Sequence, residues 1–557
     1  MSFSDRSGGT MQTASRVSRR ALLSGAATSL ALPLLPRAAR AQSLPMTCLV
    51  PSGYVDGETI PDAAWQELGD PKNMTGGVQR PNDPRFVWLT QPENLRYYNP
   101  PANPGGTPDC DAPFGVVRPH SPKEVAYAIQ WAQKWKVPMV PRSGGHSYAG
   151  CSTVAGLVIN SSAMRSVEYI EKDNRLVVEG GAIFGNLLES LRDMEVKKGE
   201  KGRYTITHGR CRDVGLSAFL MGGGWAIDSS YLGMGCDRVK KVELVLADGQ
   251  IVIASDDVDN KYRDLFWAVR GGGGGTLAYA TKWWLEPLVV ENVVVFGASW
   301  RLNYGAAFKV FQTLFRALDV TPPTMGAQMT VSATPASNNP WPYVITLRCV
   351  FHGKLDEFKQ LLGSAIDKVK QEAESQCGGY GDACLSNDLL ELPYWDAQEF
   401  FEERAYPNRY QETSLFARDI TDDFIAKMFD DWFYTRPQTI QALRATVYRV
   451  GGKVNEIEPD ATAFVHRKPY KWMITTDLDW SNPHDPNLPG NLAHQRKMQN
   501  AFSDLLGNPG SYQNFPDPGL KDPAAAYWGS NLARLSQIKK KYDPNSVFTP
   551  PRNQGIP

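Results

Sequence analysis

Two glycine-bearing segments, 65 residues apart, constrain this chain more than any other feature: PRSGGHSYAG from Pro141 and HGRCRDVG from His208. MGGGWAIDSSYLGMGCDRV follows from Met221, and DLFWAVRGGGGGTL from Asp264. Glycine has no Cβ, so backbone amides can approach a ligand closely and adopt φ > 0 conformations that other residues avoid. Successive amides of that kind cradle a pyrophosphate. A glycine run alone is more often a plain turn. Here, however, the runs accompany His146 and Cys211. Imidazole and thiolate are the side chains best suited to act as nucleophiles near neutral pH, and a thiolate is favoured beside cations such as Arg210 or Arg212. Each has an ordinary alternative: a hydrogen-bonded structural histidine, and a buried thiol or half of a disulfide.

Composition narrows the classes. Lysine plus arginine and aspartate plus glutamate each total 59, with no basic block after the N-terminal region and no apolar run long enough to span a bilayer. Nucleic-acid partners, and membrane partners of the mature form, are not expected. Eight cysteines, Cys48, Cys110, Cys151, Cys211, Cys236, Cys349, Cys377 and Cys384, show no CxxC spacing and no histidines at metal-ligand intervals. No metal site is expected. Ser18, Arg19, Arg20, Ala21, Leu22 and Leu23 open an apolar stretch that Pro33 and Pro36 cut short, and Ala39, Arg40 and Ala41 supply the cleavage region. This pattern predicts a twin-arginine signal over residues 1–41 and a periplasmic or extracellular mature protein. That route carries folded proteins, which suits an enzyme that takes up a cofactor before export. Export permits disulfides, and Cys377 with Cys384 could close a short glycine-rich loop.

The motifs can be placed on elements. Ser121 caps a helix with Pro122 at its first position and Glu124 completing a capping box, and Val125, Ala128, Ile129 and Ala132 form its buried stripe. A strand over Val137–Val140 then delivers the His146 loop. Arg175–Glu179 reads as a strand, followed by a helix through Phe184, Leu187 and Leu188. VKKVELVLADGQIVIAS from Val239 reads as a hairpin about Asp248 and Gly249. No GxGxxG follows a strand in the required context, so the order predicts α+β rather than a Rossmann unit. From about Leu288 strands such as Tyr343–Val350 and Trp472–Asp477 mix with helices such as Phe358–Glu374. Trp395, Trp432, Tyr434, Tyr470, Trp472 and Trp480 make that region aromatic. Most are expected in a core, though some could form a stacking platform for a ring-shaped substrate. A mature chain of this length exceeds what one core usually organises, so two domains are expected.

The order of these motifs, with the terminal run YDPNSVFTPPRNQGIP from Tyr542, resembles the berberine bridge enzyme-like branch of the vanillyl-alcohol oxidase family of FAD enzymes. The resemblance covers roughly residues 85 to 285 and about the last sixty. It implies a two-part PCMH-type FAD-binding domain, residues 42–288 and 501–557. Between these parts lies an inserted substrate domain, residues 289–500, with an antiparallel sheet backed by helices. In the family the histidine of RSGGHSY bonds to the flavin 8α-methyl and the cysteine of GxC to flavin C6, roles that carry over to His146 and Cys211. The same motifs assign cofactor contacts to Arg142, Ser143, Gly144, Gly145, Ser147, Val214, Gly215, Gly222, Gly223, Gly224 and Asn545.

Hydride transfer from an alcohol needs a proton acceptor for the O–H. In the family this is the tyrosine of a Y-x-N motif, which Tyr512, Gln513 and Asn514 match. A free phenol has a pKa of about 10, so Tyr512 needs tuning by a nearby carboxylate or cation. The alternative is a loop tyrosine packed at a domain edge. His466 and Arg467 resemble a substrate-domain motif, or hold a strand end. Val214, three residues after Cys211, occupies the family's oxygen-pocket position, where valine accompanies reactivity with dioxygen. The chain departs from the family pattern at Leu216, Ser217, Ala218 and Phe219, at Trp225, and at Thr276, Leu277 and Ala278. The departures put the substrate class in doubt more than the cofactor. The resemblance implies a bicovalent FAD oxidase acting on an alcohol, a sugar hydroxyl among the candidates, with dioxygen reduced to hydrogen peroxide. Oxidation or oxidative cyclisation of a secondary metabolite, and a secreted binding module without turnover, are the alternatives.

Overall fold

Ser121 starts the helix that leads into the His146 loop. Its side chain accepts the Glu124 N–H at 3.3 Å, at the head of the helix Pro122–Lys134. The predicted capping box does not close on Ser121 itself. The Glu124 carboxylate reaches one residue further back, accepting the His120 N–H at 3.0 Å and the Thr75 hydroxyl at 2.8 Å. The following strand is Met139–Arg142, two residues later than the apolar run suggested, because its parallel pairing with Leu157–Asn160 continues to Arg142.

The computed structural model describes residues 59–98, 113–198, 204–333, 342–377, 385–402, 407–440 and 442–557. The expected twin-arginine signal, Cys48, Cys110, and Cys384, and with it the expected bridge to Cys377, lie outside the described residues.

Among the described residues, three larger sheets and the two-stranded ladder of Tyr204–Thr205 with Leu288–Val289 organise the chain. Val78–Gln79, Gly115–Val117, Leu157–Asn160 and Met139–Arg142 form a mixed four-stranded sheet in that order. Val167–Ile170, Arg175–Glu179, Tyr279–Leu285, Val239–Val245 and Ile251–Ser255 form an antiparallel five-stranded sheet. Its last two strands are the hairpin expected at Asp248 and Gly249, where Gly249 takes the φ of +86° that such a turn requires. Leu385–Pro393, Asn292–Leu302, Tyr343–Phe351, Met325–Ala333, Ala442–Arg449, Trp472–Trp480 and Arg409–Ala417 form an antiparallel seven-stranded sheet. The fold is α+β, with an FAD-domain-like assembly of smaller sheets and a large antiparallel sheet.

Side-chain alternation gives the large sheet two unlike faces. Leu443, Ala445 and Val447, with Ile474 and Leu478, pack into a core with Val310, Phe311 and Phe315 of the helix Tyr304–Asp319 and Phe502 of the helix Leu488–Leu505. The intervening residues are polar: Arg444, Thr446 and Tyr448 on one strand, Thr475 and Asp477 on the next, Tyr410, Glu412 and Ser414 beyond it. Glu412, Thr446, Thr475 and Asp477 are buried despite being polar. An apolar face covered by helices leaves the polar face to meet the rest of the protein.

Candidate active site

The two motif loops are fastened to each other through glycine. A Cβ on Gly144 would lie 2.2 Å from the Asp213 carbonyl, and a Cβ on Gly215 would lie 2.4 Å from the Gly144 nitrogen. Backbone approach this close excludes any side chain at either position. The contact brings the His146 and Cys211 segments to one cleft of about 290 Å³, close to the lower end of the roughly 300–1,000 Å³ usual for ligand sites. Arg142, Ser143, Gly144, Gly145, His146, Ser147, Cys211, Val214, Gly215 and Tyr512 all line it. Gly222, Gly223 and Gly224 do not. They are buried against Asn514, Phe464 and Phe219, each too close for a Cβ. The later run supplies the cleft glycines instead: Gly273, Gly274 and Gly275 border it, the first and last at φ of +94° and +72°. Asn545 is exposed after the helix Leu532–Tyr542 and lies outside the cleft.

The cleft's chemistry suits FAD. Arg142 is buried, and its guanidinium donates only to the carbonyls of Thr90 and Gln91, at 3.3 and 2.6 Å. No carboxylate among the described residues pairs with it, and burial lowers its pKa to about 10. A buried cation without an anion is costly, and a phosphate beside it would remove that cost. The buried Ser152 hydroxyl and Gln513 Oε1 also border the cleft without hydrogen-bond partners. His146 is lowered to about 4 by burial, partly offset by Asp213, so its ring is a neutral nucleophile at physiological pH. Arg212 is not the counter-ion expected for Cys211. It pairs with Glu189 at 2.6 Å and Glu402 at 3.5 Å, whereas Arg210 borders the cleft.

Tyr512 is 2% exposed, and its oxygen accepts three hydrogen bonds: from the N–H groups of Gly224 and Trp225, each at 3.0 Å, and from Asn514 Nδ2 at 3.1 Å. Neither the carboxylate nor the cation expected for its tuning is among these partners. Burial raises the phenol's pKa and the three donors oppose it. A neutral phenol has two lone pairs, so three converging donors match the phenolate better.

The large sheet completes the wall. Tyr448 borders the cleft and meets Trp225 edge-on at 4.7 Å, while Tyr148 stacks on Phe515 at 5.3 Å. Trp225 lines the cleft beside Tyr448. The aromatic residues singled out from sequence do not contribute. Trp395, Trp432, Trp472 and Trp480 are buried away from the cleft, Tyr470 is half-buried against Phe416, and Tyr434 is exposed. His466 and Arg467 are structural: His466 stacks on Phe416 at 4.3 Å, and Arg467 is fully buried on Asp237 at 2.6 Å. Sequence reasoning overlooked Tyr448, although its strand ALRATVYR alternates apolar and polar residues and so announces a second, polar face.

The FAD binding domain family matches residues 113–255, and the berberine and berberine-like family matches residues 511–557. An uncharacterized FAD-linked oxidoreductase of Bacillus subtilis, YvdP, is 26% identical over 87% of this chain and 98% of its own length. The chain carries an FAD binding domain and a berberine-like C-terminal segment, and it is an FAD-linked oxidoreductase. Glucooligosaccharide oxidase of Sarocladium strictum is similar to this chain at 26% identity, over 78% of the chain and 86% of its own length. The structure of glucooligosaccharide oxidase from Acremonium strictum, which carries a 6-S-cysteinyl, 8α-N1-histidyl FAD, superposes with a TM-score of 0.71 at 21% identity, covering 89% of this chain and 99% of that one. Among the described residues, no group of three or more His, Cys, Asp or Glu could hold a metal ion, and no helix is long and apolar enough to cross a membrane.

Proposed function

We propose that this protein is an exported oxidase that holds FAD covalently through both His146 and Cys211 and oxidises an alcohol group, preferentially a sugar hydroxyl, to a carbonyl or lactone. Dioxygen is the electron acceptor and hydrogen peroxide the second product. The observation that carries this reading is the Gly144–Gly215 contact, which brings both nucleophile-bearing loops to one cleft beside a polar sheet face. When bound, the flavin supplies the hydride acceptor.

The chain's own residues supply the rest. With FAD bound, Arg142 would meet the pyrophosphate's charge, and the neutral His146 ring and the Cys211 sulfur would anchor the ring system. Tyr512 takes the proton from the substrate hydroxyl, and the N–H groups of Gly224, Trp225 and Asn514 hold the charge on its oxygen before the proton arrives. Because burial disfavours the phenolate, the rate of the reductive step rises with pH until Tyr512 is ionised. Tyr148, Trp225 and Tyr448 line the cleft and can stack on the apolar side of a sugar ring, and the sheet carries the polar groups of Thr446, Thr475, Gln328 and Glu412 on the face that Tyr448 shares. The same aromatic residues favour a second reading, a planar secondary metabolite as substrate.

Acid-precipitated protein should retain its yellow colour. His146→Ala or Cys211→Ala alone should retain it, and only the double variant should release flavin to the supernatant; release from unmodified protein ends the covalent reading. Anaerobic bleaching across a panel of oligosaccharides, alcohols and phenolics separates the two substrate readings, and no bleaching by any compound supports a binding module. Exported protein should begin near Gln42.

A further inference from the structure

A second cavity, of about 180 Å³, lies behind the Cys211 loop, between the helix Phe184–Lys198, the helix Tyr394–Phe400 and the segment from His208 to Arg212. Two of the residues lining it carry buried polar atoms that lack partners. His208 is 4% exposed, and its Nδ1 lies 2.9 Å from the Gly209 carbonyl. A carbonyl only accepts, so Nδ1 carries the proton. Burial lowers the ring's pKa and keeps it neutral, which leaves Nε2 as a lone pair that meets no donor. Trp395, 6% exposed, has an indole N–H with no acceptor. A guest that satisfies both must donate one hydrogen bond and accept another.

Charge excludes an ion as that guest. The lining sets Arg192, Arg210 and Arg212 against Glu189, Glu399 and Glu402, three charges of each sign, with Arg212 paired to Glu189 at 2.6 Å and Glu402 at 3.5 Å and Arg192 to Glu399 at 2.6 Å, so the wall charges neutralise one another. The fitting guest is a small neutral molecule, of which water and hydrogen peroxide each offer both donor and acceptor.

Among the described residues, only the segment Gly209–Arg210 borders both this cavity and the main cleft. Gly209 has no steric need to be glycine. Its φ lies outside the left-handed region, and a Cβ there would meet only ring atoms of Phe184 and Phe219, at 3.8 and 3.9 Å. Gly144 and Gly215, in the same neighbourhood, would collide with backbone at 2.2 and 2.4 Å. A side chain at 209 would enter the space beside Phe184 and Phe219, where the two cavities share their lining.

We propose that this second cavity is the passage by which dioxygen enters and hydrogen peroxide leaves the Cys211 end of the cleft, crossing at Gly209. The proposal rests on the reading of the protein as an oxidase. Each turnover places on one O2 the two electrons taken from the substrate, together with the carbon-bound hydrogen's proton and the hydroxyl proton. One neutral molecule enters and one neutral H2O2 leaves. The peroxide can donate to His208 Nε2 and accept from Trp395 Nε1 on its way out, without crossing the substrate's sheet face.

The test uses holoenzyme reduced photochemically, so no substrate need be known, and then mixed with oxygenated buffer in a stopped-flow cell. Leu188→Trp fills the second cavity from the helix side, remote from the cleft, and Gly209→Val narrows the crossing. Both should keep flavin content and visible spectrum while reoxidation slows about fivefold or more, a barrier raised by about 1 kcal/mol. Unchanged reoxidation in either folded variant overturns the passage. A wild-type enzyme that oxygen does not reoxidise ends the oxidase reading, and the passage with it. In crystals of the holoenzyme, ordered solvent should bridge His208 Nε2 and Trp395 Nε1 and be displaced in Leu188→Trp; a dry cavity in the wild type also overturns the proposal.

Discussion

Replacing Tyr512 with phenylalanine removes one oxygen and separates its structural from its chemical role. That oxygen accepts from Gly224 N and Trp225 N at 3.0 Å and from Asn514 Nδ2 at 3.1 Å. Asn514 keeps another partner, since the same nitrogen donates to the Phe219 carbonyl at 3.0 Å. The two backbone donors are fixed and have no alternative acceptor in a site where Tyr512 is 2% exposed. Each buried orphan costs about 1–3 kcal/mol, so Tyr512→Phe should lose about 3 kcal/mol of stability. Asn514→Ala, which removes a donor and leaves the phenol two others, should lose about 1 kcal/mol. Urea unfolding of the two variants and wild type, followed by tryptophan fluorescence, measures both. Stopped-flow reduction by the best compound from the substrate panel should slow by about 10²–10⁴-fold in Tyr512→Phe, the range for losing a positioned acid or base. A variant as stable as wild type would show that the amides do not depend on this oxygen. Near-normal reduction would dismiss Tyr512 as the proton acceptor, whatever its stability.

Gly144→Ala forces a Cβ to within 2.2 Å of the Asp213 carbonyl, so the two motif loops must separate; we expect a loss of roughly 1–3 kcal/mol and incomplete covalent flavin, read by absorbance per chain after denaturation. Gly490→Ala, where nothing lies within 4 Å of the new Cβ, is the control and should be neutral or slightly stabilising. Glu93 is raised from 4.5 to about 7, chiefly by burial, beside the Tyr410 hydroxyl. Its folded pKa exceeds the unfolded one, so the stability it contributes is complete below about pH 4.5 and is lost as pH rises through 7. The wild-type stability minus that of Glu93→Gln should therefore fall by about 2–3 kcal/mol between pH 4 and pH 8, and parallel pH profiles would refute the assignment.

Local signals were legible from sequence where one residue type answers one backbone demand. The hairpin at Gly249, the Ser121 cap and the strand Arg175–Glu179 occur where turn and capping chemistry place them. The His146 and Cys211 loops could be read for the same reason, since glycines at 144 and 215 answer a backbone approach that nothing else permits. Glycine's reasons differ from one position to another, however, and a sequence does not distinguish them. Gly222, Gly223 and Gly224 read as ligand-facing but are needed to clear Asn514, Phe464 and Phe219, side chains more than two hundred residues distant in two of the three cases. Gly273 and Gly275 read as the same kind of run and do face the cleft.

The cleft wall was obscured for a related reason. Apolar content flags tryptophans, and Trp432, Trp472 and Trp480 satisfy that signal by building the core under the helices. The residues that meet the cleft are Tyr148, Trp225, Tyr448 and Phe515, drawn from four distant segments and assembled only when the sheet docks its polar face. Alternation within ALRATVYR reveals that such a face exists but not what it meets. Tyr512 combines both kinds of information. Its motif was visible as Y-x-N, whereas its tuning depends on the amides of Gly224 and Trp225, which carry no side-chain signature in any sequence. A proton acceptor tuned by backbone donors tolerates side-chain variation around it but not displacement of the turn, so insertions or substitutions that shift residues 222–225 should impair reduction as severely as the loss of the phenol itself.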